Sequence, residues 1–124
     1  FNDGGSIVLN ASAVIHKGFE HGAIYSATKA AVRSFSRTLS KDLAPRNIRV
    51  NTVSPGPVET PIYSKMGMTE EQMKGMAESM TQLVPMKRFG SSDEVAKAVL
   101  FLASSDSSFI IGEEILIDGG IATI

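Results

Sequence analysis

Tyr25 and Lys29, four positions apart in the run Tyr25-Ser26-Ala27-Thr28-Lys29, with Ser12 thirteen positions upstream of the tyrosine, have the side chains and spacing to move a proton. Residues at i and i+4 of a helix lie one above the other on the same face, so a helix here sets the Lys29 ammonium beside the Tyr25 ring. A phenol titrates near ~10, and a neighbouring cation favours its charged form, which brings proton exchange closer to neutral pH. A serine hydroxyl in the same site can donate to an oxygen on which negative charge develops. A tyrosine and a lysine four apart also occur on ordinary exposed helix faces. The surrounding elements decide between the two.

Ile7-Val8-Leu9 is a short apolar run preceded by Gly4-Gly5, the pattern of a buried parallel strand, and Ser12 falls just past its end. A second strand is expected from Ile48 to Val53, followed by the stiff loop Ser54-Pro55-Gly56-Pro57-Val58-Glu59-Thr60-Pro61. A third, Ile115 to Ile117, runs into Asp118-Gly119-Gly120. Open parallel sheets bind ligands outside the carboxyl ends of their strands, which is where Ser12 and the proline-rich loop fall. Residues 12 to 22 read as a loop, and a long helix is expected from about Ala23 to Leu43, stopped by Pro45. Its small and apolar residues Ala27, Ala30, Ala31, Phe35 and Leu39 are expected to pack on the core or on a partner helix. Ser91-Ser92-Asp93-Glu94 supplies capping residues for a last helix carrying Val95, Val99, Leu100 and Leu102. That helix is expected to end near Ser104, with Gly112 turning the chain into the final strand.

All six methionines lie between Met66 and Met86, and Met73, Met76 and Met80 share one helical face in the segment 62–83. Methionine suits surfaces that repack around varied apolar ligands, and it serves equally well as core under a surface helix. Gly67 and Gly75 each lower helix stability by about 1 kcal/mol relative to alanine, as expected of a segment that moves.

The 124 residues carry a net charge of −1 and a pI near 6.1, so no basic field draws nucleic acid or anionic lipid. No apolar run approaches the roughly 18 residues of a membrane span. Without cysteine there is neither a disulfide framework nor a thiolate metal site. His16 and His21 flank Glu20, but a zinc site needs further convergent ligands, and no metal is expected. The two histidines read as polar loop residues near the mouth of a pocket.

Ser12, the Tyr25/Lys29 pair, Pro55-Gly56 with Val58 and Thr60 behind it, and the terminal Ile117-Asp118-Gly119-Gly120 together resemble the short-chain dehydrogenase/reductase family, in order and spacing. The resemblance covers essentially the whole chain. It implies an α/β fold with a Rossmann-type doubly wound parallel sheet and NAD or NADP as cofactor. It also implies reversible transfer of a hydride between the nicotinamide and a carbonyl or alcohol carbon of a small molecule. Tyr25 is then the general acid in reduction and the base in oxidation, and Ser12 the donor to the substrate oxygen. Lys29 acts on the phenol and on the nicotinamide ribose, Pro55, Gly56 and Val58 contact the carboxamide through their backbone, and Thr60 reaches the amide or the pyrophosphate. Family members use an upstream asparagine in a proton relay, and no role is assigned to Asn10. The resemblance further places the substrate lid at about 62–83, makes the long helix and the last helix and strand contact surfaces of a homodimer or homotetramer, and suggests a cytoplasmic enzyme.

Members of the family are about twice this length, and no G-x-G-x-x-G turn occurs in the chain. Residues 1–124 therefore read as the C-terminal half of a single NAD(P)-binding domain, the dinucleotide-binding half being absent. A catalytically inactive fragment, or an idle scaffold or binding protein on the same fold, is the alternative.

Overall fold

The computed structural model describes residues 1–61, 65 and 67–124. Three parallel strands, β1 (Ser6–Asn10), β2 (Arg49–Pro55) and β3 (Glu114–Ile117), form one sheet in that order. Val8 lies opposite Asn51, and Val53 opposite Ile115. β1 and β3 reach beyond the apolar residues that announce them, and β2 begins one residue after the expected Ile48. β2 continues to Pro55 opposite Ile117, where the missing proline N–H falls at the last residue of the strand.

Helix α1 (Ala23–Leu43) connects β1 to β2, and α2 (Glu70–Leu83) and α3 (Ser92–Ala103) lie between β2 and β3. Pro45 sits in a 3-10 turn that follows α1, and Asn47 closes that turn in the left-handed region at φ 54°. Capping boxes open the other two helices: Thr69 with Gln72 for α2, and Ser91 with Glu94 for α3. No helix among the described residues is long and apolar enough to cross a membrane.

Helices cover both faces of the sheet. Ser6 and Arg49, paired across β1 and β2, both donate to the carbonyl of Leu102 near the end of α3. Arg49 also donates to Ser104 O at 2.8 Å, satisfying carbonyls that the end of α3 leaves open. On the opposite face, Thr52, Ser54 and Glu114 turn toward α1, whose Arg33 bonds to Glu114.

The sheet face below α1 is polar, and of the two packings expected for the apolar stripe, the one against the core of this chain is largely not made. The buried side chains of α1 are Arg33, Ser36 and Ser40, while Ala27, Ala30, Ala31 and Phe35 lie on the exposed side and Leu39 is half-buried. The polar stripe of α1 meets the sheet through Arg33 on the Glu114 carboxylate and Ser40 on the Val50 carbonyl, while the Ser36 and Thr52 hydroxyls are buried with no hydrogen-bond partner among the described residues. Ser40 Oγ lies 2.8 Å from the carbonyl oxygens of both Ser36 and Val50.

The apolar core is small. Ile48, Val50, Val53 and Leu102 are buried around the sheet, and Ala13, Val84 and Ile121 form a cluster on which Phe19, Met80 and Leu116 pack. That cluster lies directly under the residues considered next.

Candidate active site

Ser12 follows β1 and caps a 3-10 turn, Ala13–His16. Its Oγ accepts a long bond from Val14 N at 3.4 Å and donates to no described residue, so its proton remains available to a ligand. Ala13 beside it is buried in the core cluster, which seats the start of the turn. Tyr25 stands in the first turn of α1 and is 53% exposed. A cleft of about 300 Å³ is lined by Ser12, Phe19, Tyr25, Pro55, Gly56 and Met80, among others, at the carboxyl ends of β1 and β2.

Lys29 lies one turn beyond Tyr25, outside the lining of the cleft. Its ammonium is 5.8 Å from the centre of the Tyr25 ring, within reach of a cation–π contact, and donates to Asn10 O at 3.1 Å. Asn10 thus contributes through its backbone carbonyl, which any residue would supply, and no sequence signal marks such a role.

The loop after β2 carries the remaining expected positions. Gly56 N donates to Ile117 O at 3.0 Å, so that N–H is committed to the sheet. A Cβ at Gly56 would lie 2.7 Å from the Cα of Asp118, and glycine is what allows the ends of β2 and β3 to approach. The Asp118 carboxylate accepts from Gly120 N at 2.8 Å and Ala122 N at 3.0 Å and folds the chain back over β3. Val58 is held by its neighbours: Gly90 N donates to Pro57 O and Glu59 N to Gly90 O, both at 2.9 Å. Its own N–H donates to no described residue. Thr60 is exposed and lines a separate hollow with Met73 and Arg88. Ser12, Tyr25, Pro55 and Gly56 therefore share one cleft, with Lys29 behind the tyrosine and Val58 and Thr60 farther along the loop.

The Val58 N–H, unpaired among the described residues, and the remaining protons of Lys29 fit the carboxamide and ribose of a nicotinamide, which need donors of this kind. Of the methionine face, Met80 lines the cleft, Met73 stands beside Thr60, and Met76 is half-buried. Ile62, Tyr63, Ser64 and Met66 of the expected lid lie outside the described residues.

A second constellation escaped the sequence reading. Arg33 Nε donates to Glu114 Oε2 at 3.0 Å, with both side chains under a tenth exposed, and its guanidinium also reaches Gly112 O. His16 Nε2 lies 3.0 Å from Glu114 Oε1, to which the Ser54 hydroxyl also donates. Burial alone would raise the Glu114 pKa; the hydrogen bonds from Ser54, His16 and Arg33 outweigh it and hold the carboxyl below its ordinary value. His16, read from sequence as a loop residue at the pocket mouth, is part of this network. Arg33 did leave a signal, since Tyr25, Lys29 and Arg33 recur at intervals of four along one face.

The sequence profile described as Enoyl-(Acyl carrier protein) reductase matches residues 1–122. The chain belongs to the short-chain dehydrogenase/reductase family. A relative in this family, the 3-oxoacyl-(acyl-carrier-protein) reductase FabG of Thermotoga maritima, is 44% identical over 117 residues, covering 94% of this chain and 45% of the relative. Glucose 1-dehydrogenase of Gluconobacter oxydans is 42% identical over 119 residues, covering 94% of this chain and 42% of its own length. Among solved structures, the short-chain dehydrogenase/reductase from Brucella melitensis described as a glucose/ribitol dehydrogenase superposes with a TM-score of 0.86 at 40% identity. That match covers all of this chain and 48% of the other. The chain thus spans a little under half the length of the family members it matches.

Proposed function

We propose that the protein is an NAD(P)-dependent oxidoreductase acting on a carbonyl/alcohol substrate, and that residues 1–124 are the C-terminal half of its single Rossmann domain. The observation that carries this reading is the meeting of Ser12 and Tyr25 in one cleft at the carboxyl ends of β1 and β2, with Lys29 one turn behind the tyrosine. The nicotinamide, when bound, supplies or accepts the hydride. The chain's own residues handle the oxygen and its proton. In the reductive direction, Ser12 donates a hydrogen bond to the carbonyl oxygen and stabilises the charge that grows there. Tyr25 then delivers its phenolic proton to that oxygen, and in oxidation it takes the proton back. Lys29 holds the ribose hydroxyls and keeps positive charge beside the phenol. Pro55, Gly56 and Val58 fix the carboxamide through backbone groups, and the prolines reduce the ordering this requires. Thr60 reaches the amide or the pyrophosphate.

Phe19 and Met80 make one side of the cleft apolar, which favours a substrate with a hydrocarbon part next to the reacting carbon. The names of the relatives span acyl-carrier and sugar substrates, and both chemistries place a carbonyl or alcohol at such a site. The segment 62–83 serves as the lid in this reading. The exposed Ile24 and Phe35 of α1, and Leu100 of α3 with Phe109 beyond it, suit subunit contacts in a homodimer or homotetramer. We assign the assembly to the cytoplasm, with no nucleic-acid or membrane partner.

A narrower reading concerns the 124 residues by themselves. They contain no glycine-rich phosphate turn, which favours a piece that holds no dinucleotide alone. The test is to assay the full-length protein with NADH and NADPH against short 3-oxoacyl thioesters and simple sugars, beside a fluorescence titration of residues 1–124 with both cofactors. Cofactor oxidation by the full-length protein, with no binding by the shorter chain, is the expected outcome. Full-length protein inert toward every carbonyl tested, with no cofactor bound, contradicts the proposal.

A further inference from the structure

Glu114 bonds to three of the segments that line the cleft: β2, α1 and the turn that Ser12 begins. It begins β3, accepts from Ser54 one position before Pro55 in β2, accepts from Arg33 one turn past Lys29 in α1, and pairs with His16 at the end of the turn that Ser12 begins. The last link is the informative one. A short 3-10 turn is held by poorly aligned bonds, and here Ile15 N to Ser12 O is 3.2 Å and Val14 N to Ser12 Oγ is 3.4 Å. Core packing of Ala13 anchors one end of the turn. The other end is fastened through a side chain, because the His16 ring reaches a carboxylate that Arg33 and Ser54 already hold in place. His16 donates through Nε2, since the ionised carboxylate can only accept.

We propose that His16 and Glu114 are positioning residues for Ser12: their bond fixes the turn so that the serine hydroxyl faces the cleft at the distance the substrate oxygen requires. Neither touches the reacting atoms. The inference rests on the catalytic role given to Ser12 above. Its physical basis is that small displacements of an oriented donor are expensive, with ~1 Å of misplacement able to cost on the order of 10²-fold in rate. Removing Glu114 would leave the Arg33 cation buried without its partner, so the decisive variants are at His16, whose side chain is 37% exposed.

The experiment is a double-mutant cycle in the full-length enzyme, with Ser12→Ala, His16→Ala, their combination, and His16→Gln, whose amide nitrogen can replace the Nε2 donor. Ser12→Ala alone is expected to lower kcat by at least ~10²-fold, the usual effect of losing a donor to a developing oxyanion. His16→Ala is expected to lower kcat by about tenfold with the KM for the cofactor unchanged, and His16→Gln to restore most of that loss. Adding His16→Ala to Ser12→Ala is expected to change kcat less than about twofold, because the residue it positions is gone. Full turnover in His16→Ala, equal losses in both backgrounds, or no rescue by glutamine overturns the positioning role and leaves the catalytic reading intact. Undiminished turnover in Ser12→Ala overturns both.

Discussion

The Lys29 ammonium donates to the Asn10 carbonyl at 3.1 Å, tying the first turns of α1 to the carboxyl end of β1. The lysine is therefore fixed both by the strand that leads to Ser12 and by the ring of Tyr25. Lys29→Ala is expected to raise the Kd for NAD(P)H by about tenfold, the worth of one charge-assisted hydrogen bond, in addition to slowing turnover. Fluorescence titration of the full-length protein checks this. Unchanged affinity with slowed turnover means that Lys29 acts on Tyr25 alone.

Gly56 marks where the sheet tolerates no side chain. A Cβ there would stand 2.7 Å from the Cα and 2.8 Å from the Cβ of Asp118, atoms that cannot swing aside. Gly56→Ala is expected to destabilise by about 1–3 kcal/mol and to shift the loop that carries Val58. Thermal unfolding gives the first quantity and cofactor affinity the second; a variant with wild-type values of both removes the close-packing argument.

Gly75 is the opposite case. It sits inside α2 with nothing beyond its own stretch of helix within 4 Å of where its Cβ would be, so Gly75→Ala is expected to strengthen that helix by about 0.5–1 kcal/mol. If the segment works as a lid, amide exchange in α2 slows and kcat falls with it. Slower exchange at undiminished kcat means that α2 is scaffold and that Met73, Met76 and Met80 are packing residues.

Much of this architecture was legible beforehand because the strands are apolar runs and the last helix begins with capping residues. Ile7 to Leu9 and the Ser91-Ser92-Asp93-Glu94 run follow local rules, whereas the Thr69–Gln72 cap of α2 was not singled out. The face of α1 was legible only in part, since the apolar stripe left core and partner helix open and periodicity does not choose between them. Here Arg33 goes inward to the Glu114 carboxylate and Ser40 to the Val50 carbonyl, and Ser36 is buried between them without a hydrogen-bond partner among the described residues. Glu114 was hidden: its partners lie 60, 81 and 98 positions away, and no local pattern reports such a meeting. The spacing of Tyr25 and Lys29 foretold their proximity, whereas the commitment of the Gly56 N–H to Ile117 required the sheet itself.

Acid should loosen the start of α3. Glu94 is held at about 2, against an ordinary 4.5, chiefly by its hydrogen bonds from Arg88 and from the Ser91 backbone. A carboxyl depressed in the folded state adds stability that is complete above the ordinary value and disappears as the pH falls through the folded one. The gap in melting temperature between wild type and Glu94→Gln is therefore expected to be constant above about pH 5 and to close between about 4.5 and 2. A gap that persists unchanged at pH 2 rules out the ion pair and cap as its source.

Tyr25→Phe in the full-length protein tests the central claim most directly, because it removes one oxygen from a half-exposed side chain and leaves the ring against Lys29 in place. The account predicts a kcat lowered by at least ~10²-fold, the lower range for general acid/base catalysis, with the affinity for NAD(P)H little changed. Turnover within a few-fold of wild type contradicts it.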